Sequence, residues 1–442
     1  MVNFQLIVIG AGLSGSIAAI AAAREGLDVL LVEAGAFPGG SLTMNSVQPM
    51  MTFHAGRTQV SLGIAQELVT RLLQSHKSKG HIQDDNTSFT PFDQEALKFE
   101  LETMLIQSGV HLLYHTVMIS VEMVKNRIKQ INLCNKSGVH AYHADMLIDA
   151  TGDADVVAAA GIPFTKGHGS GGPMQPLTLM ARFENVNKKK LELYAIAHRD
   201  TFPGMEQLDF KRPSIQLQGF VKEVARARHR GEWSIPRDDV LMFESSNPGE
   251  FYLNTTRVAD HDATNAISLS DAETVGRAQA HELEMFLRKY IPGFEESWLA
   301  ETGPNIGCRS SRQLVGLYTL TDKDVLAETK FSDAIAYSGY PIDIHENNGY
   351  GTDLRGLSWG GYYGIPLRCL LPQSVTNLIV CGRCISATFE AQASMRTTPT
   401  VAAIGQAAGV VAFLAASQAR AVQRVEAAQV RRYLKKSGAF IV

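Results

Sequence analysis

The first strong pattern along the chain is an apolar, β-branched-rich run at residues 4–9, which reads as a strand buried on both faces. Gly10, Gly12 and Gly15 follow, and residues 16–25 form an Ala-rich run whose small side chains suit a helix lying close against a sheet. Residues 28–32 repeat the buried-strand pattern and end in Glu33. From 110 to 144, short apolar and polar runs alternate with turns at Lys125-Asn126 and Ser137-Gly138, which predicts an antiparallel meander. Residues 146–153 read as a further buried strand ending in Ala150-Thr151-Gly152-Asp153. After a Gly-rich crossing loop at 166–173, a strand is expected over 251–257 and a helix over 271–290, stopped by Pro292-Gly293. Lys188-Lys189-Lys190 reads as a solvated turn. Near the C-terminus, 377–381 is a buried strand and 401–416 a small-residue helix, with Pro399 near its first turn and threonines placed to cap it. Buried strands alternating with helices predict an α/β fold.

Composition narrows the class. The 442 residues are 45% apolar and 19% charged, with 38 Gly, which excludes disorder, collagen-like repeats and coiled coil. Lys plus Arg number 41 against 44 Asp plus Glu, a formal charge of −3, so no global basic field exists for nucleic acid or an anionic membrane. Five cysteines are too few for a disulfide framework and point to a reduced, cytoplasmic compartment. Residues 6–23 carry no charge, but they lack a basic leader and are broken by three glycines, so neither a signal peptide nor a membrane span is expected.

The first thirty-five residues carry the clearest chemistry. Gly10-Ala11-Gly12-Leu13-Ser14-Gly15 is G-x-G-x-x-G between a strand and a helix. Gly10 allows the tight turn, Gly12 lets the backbone approach a pyrophosphate, and Gly15 lets helix and strand touch. The helix opened by Leu13 and Ser14 offers free N–H groups and a positive dipole end to phosphates. Glu33, 21 residues after Gly12 and followed by Ala34, is placed to accept hydrogen bonds from a ribose diol and disfavours a 2′-phosphate. A dinucleotide site in a Rossmann-like sheet is the expectation. The helix start at Thr398, Thr400 and Val401 can aim backbone N–H groups at the electron-rich edge of a flavin ring.

Jointly, this fingerprint, Pro38-Gly39-Gly40, residues 148–153, and the stretch 303–409 resemble the glutathione-reductase-type FAD oxidoreductases. More closely, they resemble the bacterial FAD-dependent oxidoreductase family that includes flavin subunits of the heterodisulfide reductase type. The last stretch holds Gly307-Cys308-Arg309-Ser310-Ser311-Arg312, Tyr340-Pro341-Ile342-Asp343-Ile344-His345, Ile365-Pro366 and Gly382-Arg383-Cys384-Ile385-Ser386. The resemblance implies an FAD-binding domain built from both chain ends, residues 1–165 and 301–442, with a mixed α+β substrate domain at 166–300 inserted between. It implies FAD contacts at Gly39, Gly40, Ser41, Ala150, Thr151, Gly152, Asp153, Gly382 and Arg383. No second G-x-G-x-x-G is read after a predicted strand, so a nicotinamide reductant would bind elsewhere or a redox partner protein would deliver electrons.

Hydride chemistry on a small-molecule substrate also needs groups that handle a proton. His345 is the first candidate, as acid/base, with Asp343 and Glu346 close in sequence. Arg309 and Arg312 either clamp the substrate or pair with carboxylates or cofactor phosphate. Tyr340, Arg383 and Arg396 are secondary candidates, and His54 reads as a packing residue. Cys381 and Cys384 form C-x-x-C at the end of a buried strand and read as structural thiols. Cys134, Cys308, Cys369, Cys381 and Cys384 lack iron–sulfur spacing, and no metal site is expected. Cys308 remains open as a covalent flavin attachment point. The expected function is an FAD-dependent dehydrogenase or reductase of a small polar metabolite, hydroxylated or sugar-like. An electron-transfer flavoprotein subunit working with an iron–sulfur partner, a flavin monooxygenase, and an oligomeric assembly stay open.

Overall fold

A computed structural model describes residues 2–169, 171–205, 209–347 and 350–442. Strand β1 (Val2–Ile9) leads into helix α1 (Leu13–Arg24), and β2 (Val29–Val32) returns parallel to β1, pairing Leu6 with Val29. β3 (His111–Leu113) extends the parallel edge beyond β2. β4 (Val117–Val124), β5 (Arg127–Asn135) and β6 (Gly138–Asp149) form the antiparallel meander. The sheet runs in the order β3-β2-β1-β6-β5-β4, and the strand Leu378–Val380, from the far end of the chain, pairs in parallel with Leu147–Asp149. This is the Rossmann-like α/β sheet the pattern predicts.

The meander and the buried strand after it, read as two elements, are one continuous strand. β6 pairs antiparallel with β5 through residues 138–142 and parallel with β1 through residues 142–149. Its first residues are exposed or half-buried and its last four are buried, so one strand changes environment where the sheet acquires covering helices. α1 starts at Leu13, three residues earlier than its Ala-rich run, because Gly12 already serves as the N-cap.

A second, antiparallel sheet holds β7 (Ala181–Glu184), β8 (Gln216–Gly219), β9 (Val240–Glu244), β10 (Phe251–Leu253) and β11 (Trp298–Thr302), in the order β8-β9-β10-β7-β11. The three lysines at 188–190 are not a turn: they open α2 (Lys188–Ala197), where Asn187 caps the helix by accepting from Lys190 N, and Leu191 and Ala195 bury its inner face. Lys188 and Lys190 pair with Glu244 and Glu295, at 2.7 and 2.5 Å. α3 (Ala266–Tyr290) begins five residues before the expected start, capped by Asn265, and packs Leu283 and Phe286 into the core with Phe183, Phe251 and Phe294. The expected strand at 251–257 stops at Leu253, and the one at 377–381 spans only Leu378–Val380. Ser170, in the expected crossing loop, lies outside the described residues.

The chain then forms a hairpin, β12 (Ile342–His345) with β13 (Thr352–Arg355), and two helices, α4 (Phe389–Met395) and α5 (Thr398–Ser417). α5 is long and apolar enough to cross a membrane, yet 78% of its apolar window is buried inside the fold. It lies directly on α1. A Cβ built on Gly405 would meet Ser14 O at 2.1 Å, and one on Gly409 would meet Ala18 O at 2.3 Å.

Candidate active site

The glycine fingerprint folds as a cradle. Gly10 takes φ +97°, and a Cβ there would sit 2.5 Å from Ala150 O; at Gly15 it would sit 2.0 Å from Gly10 O. At Gly12 an added Cβ meets only Gly40 Cα, at 4.0 Å, so this position faces open space. The Gly39-Gly40 turn closes the far side, with Gly39 N donating to Ala11 O at 2.8 Å and Ser41 continuing a short 3-10 turn. Leu13 and Ser14 are buried in the first turn of α1, and no side chain caps that helix. Its N–H groups are left for an anion. Glu33 is fixed at the end of β2: Oε2 accepts from Ala11 N at 2.7 Å and Oε1 from Gly35 N at 2.8 Å. Ala34 is exposed and offers backbone alone.

At the end of β6, Ala150 N donates to Ile9 O at 2.8 Å. Asp149, fully buried, accepts from Thr151 N, Thr151 Oγ1 and Val157 N, and burial pushes its carboxyl up to about 6. Asp153 Oδ1 accepts from Arg383 Nη2 at 2.6 Å and from Ser311 Oγ at 2.5 Å, while an added Cβ on Gly152 would press on Arg383 Nη1 at 2.7 Å. Gly382, just before this arginine, would bring a Cβ no nearer than 3.7 Å to Ser14. The Asp153–Arg383 pair ties the two ends of the chain together.

The threonines before α5 do not cap it as expected. Thr397 stands at the N-cap, but its hydroxyl donates to Thr400 Oγ1 at 3.0 Å, and Thr400 donates to Ser338 Oγ at 3.1 Å. Thr398 Oγ1 is buried without a partner among the described residues. Val401 N enters the helix ladder by donating to Thr397 O at 3.0 Å. Two helix N-termini without side-chain caps, an open glycine cradle, a pinned ribose-facing carboxylate and an orphaned buried hydroxyl fit FAD. Bound there, its pyrophosphate would lie at Gly12 and Gly40, and its ring edge near Thr398.

Next to the start of α5 stands a polar cluster. His345 ends β12. Arg257 Nη2 lies 3.2 Å from His345 Nδ1, and a guanidinium only donates, so Nδ1 accepts and the ring proton sits on Nε2. That nitrogen is 3.6 Å from Asp343 Oδ2, too long for a hydrogen bond. Tyr340 donates to the same carboxylate oxygen at 3.2 Å, and Arg396 Nη2 approaches it at 3.6 Å. Arg309 donates to Pro176 O at 2.6 Å and Asn254 Oδ1 at 3.2 Å, and Gln392 Nε2 donates to Arg309 O at 2.8 Å. Burial, then the guanidiniums of Arg309, Arg396, Arg237 and Arg257, hold the imidazole well below its usual range, so His345 is neutral. Burial raises the Tyr340 phenol, with Asp343 adding to it.

Of the residues singled out in the sequence, His345, Tyr340, Arg309 and Arg396 come together. Arg312 does not. It donates to Asp153 O at 2.9 Å and Asp155 Oδ1 at 2.8 Å, on the cofactor side, because the extended segment leading into Arg312–Leu314 carries it past the cluster. His54 is buried, with Nδ1 at 2.9 Å from Ser88 Oγ. All five cysteines are free thiols; burial pushes Cys308 up to about 11 and Cys381 to about 12. Arg237, Arg257, Gln175 and Gln392 were not singled out in the sequence. They come from separate segments and share no spacing that would reveal them.

The α/β sheet with its dinucleotide cradle, joined to a second uncapped helix beside a cluster of proton-handling groups, defines a flavin-dependent oxidoreductase with FAD as its cofactor. Residues 5–434 match the family described as "FAD dependent oxidoreductase", and the chain belongs to that family. No curated protein matches the sequence. Among solved structures, a geranylgeranyl bacteriochlorophyll reductase-like protein from Thermoplasma acidophilum is 11% identical, with 99% of this chain and 83% of that one covered and a TM-score of 0.47. A flavin-dependent brominase is 12% identical over 98% of this chain and 83% of its own, with a TM-score of 0.49. p-Nitrophenol 4-monooxygenase from Pseudomonas putida DLL-E4 is 10% identical over 98% and 84%, with a TM-score of 0.45.

Proposed function

We propose that the protein exchanges a hydride with a small polar metabolite at a carbon bearing oxygen, and that the FAD half is of the glutathione-reductase type. The second sheet, from β7 to β11, would cover the substrate side. One observation carries this reading: the Nε2–H of a neutral His345, directed by Arg257 and not consumed by Asp343, is available to a substrate oxygen beside the start of α5. FAD, when bound, supplies the hydride acceptor or donor. His345 orients the substrate oxygen by donating to it, which replaces the expected role of resting-state base. Asp343, with Tyr340 donating to it, takes or returns the proton. Arg309 and Arg396 hold the substrate in place.

The test is anaerobic mixing of the FAD-loaded protein with sugars, polyols and 2-hydroxy acids, following the visible flavin absorbance. Bleaching by at least one class, slowed a hundredfold or more in His345→Ala, is the expected result. Bleaching that appears only when an iron–sulfur protein is added, or turnover only as oxygenation with a nicotinamide reductant and O2, would overturn it.

A further inference from the structure

The cluster around His345 gathers buried guanidiniums. Arg237, Arg257, Arg309 and Arg396 act on one another or on His345. Carboxylates facing them among the described residues include Asp239, Asp343 and Glu346, of which Glu346 is exposed, where water screens it. Arg309 donates to two neutral acceptors, Pro176 O and Asn254 Oδ1. Burial and the neighbouring guanidiniums, against Asp343, pull it down to about 9, so an anion beside it would be stabilised.

The same place contains polar atoms without partners. Gln175 and Gln392 are 2% and 0% exposed, yet Gln175 Nε2 and Gln392 Oε1 have no hydrogen-bond partner among the described residues, and neither does Arg396 Nε. Each is tied to the cluster by its other end: Gln175 Oε1 accepts from His345 N at 3.4 Å, Gln392 Nε2 donates to Arg309 O, and Arg396 approaches Asp343. Two orphaned donors beside a buried guanidinium held by neutral acceptors call for an anion, and the orphaned acceptor calls for a hydroxyl or N–H on the same molecule.

We infer that the substrate is a small organic carboxylate, its anionic group held by Arg309 and Arg396 and its hydroxyl or amine facing Gln392. Asp343 already faces both guanidiniums, so a monoanionic carboxylate meets less repulsion there than a dianionic phosphate. The inference rests on the cluster being the substrate site, as proposed above.

The test is calorimetric titration of the FAD-loaded protein with 2-hydroxyisobutyrate, a monoanion that carries a hydroxyl but no hydride to give, with its neutral amide, and with inorganic phosphate. The hydroxy acid should bind saturably and at least tenfold more tightly than either. Arg396→Met and Arg309→Met should each weaken it tenfold or more at unchanged flavin content. Equal binding of the amide, or tighter binding of phosphate, would overturn the inference without any variant having to fold. Carboxylate binding with no flavin bleaching by any hydroxy compound would support the inference while sinking the hydride reading. Bleaching by neutral polyols with no carboxylate binding would do the reverse.

Discussion

Gly405 on the last long helix faces Ser14 on the first so closely that an added Cβ would lie 2.1 Å from the Ser14 carbonyl oxygen. The contact joins α1, whose uncapped N-terminus would face the pyrophosphate of bound FAD, to α5, whose own N-terminus lies at Thr398. Gly405→Ala must push the two helices apart. A loss of about 1–3 kcal/mol is expected, read as a lower Tm together with reduced flavin content. Gly356→Ala is the control, since no atom lies within 4 Å of its added Cβ; equal Tm values for the two variants would refute the close-packing account.

Gly12→Ala should separate cofactor affinity from folding. Its added methyl meets only Gly40 Cα, at 4.0 Å, and α1 tolerates a side chain at a residue with φ −57°. The apoprotein should keep its Tm, while FAD affinity drops tenfold or more because the methyl fills the pyrophosphate approach. Wild-type affinity in fluorescence titration would show that the cradle lies elsewhere.

Three imidazoles predict acid lability. Burial lowers His54 and His345, and burial followed by His54 lowers His81 to about 4. A histidine whose folded pKa lies below its unfolded value of 6.5 contributes stability that is present above 6.5 and lost as pH falls towards 4. The apoprotein should therefore melt at lower temperature at pH 5 than at pH 7. His81→Gln should shrink that difference by about 1 kcal/mol. A variant with the full wild-type difference would remove His81 from the account.

Thiol chemistry offers a fourth check. Cys369, Cys381 and Cys384 are buried and their thiols are raised, so little reactive thiolate exists at neutral pH. Native protein should modify Cys134 first and these three only after denaturation, with all five thiols then titrating. Fast loss of Cys381 and Cys384 as a pair, accompanied by a two-proton mass decrease, would instead reveal a dithiol couple.

The cofactor end was legible because its parts are local. Gly10 to Gly15 and Glu33 lie within a single strand–helix–strand unit, where spacing maps directly onto geometry. The substrate end was not, because Arg237, Arg257, Arg309 and Arg396 meet only after the second sheet docks against the hairpin carrying His345. The tautomer of His345 was equally hidden, since it is set by Arg257, 88 residues away in the chain. The lysine run at 188–190 misled for another reason: charge reports exposure, and the helix signal lay in Asn187, Leu191 and Ala195.

The partnership of α1 with α5 also sets an order of events at the ribosome. The fingerprint helix is made long before the helix whose Gly405 and Gly409 receive it, and β6 long before the strand Leu378–Val380 that pairs with it. A nascent chain can form the parallel core of β1, β2 and β3 early, but its nucleotide cradle lacks a back wall until α5 has been made. Flavin capture in this fold therefore waits for α5, and a chain truncated before that helix would emerge without the element that closes its cofactor site.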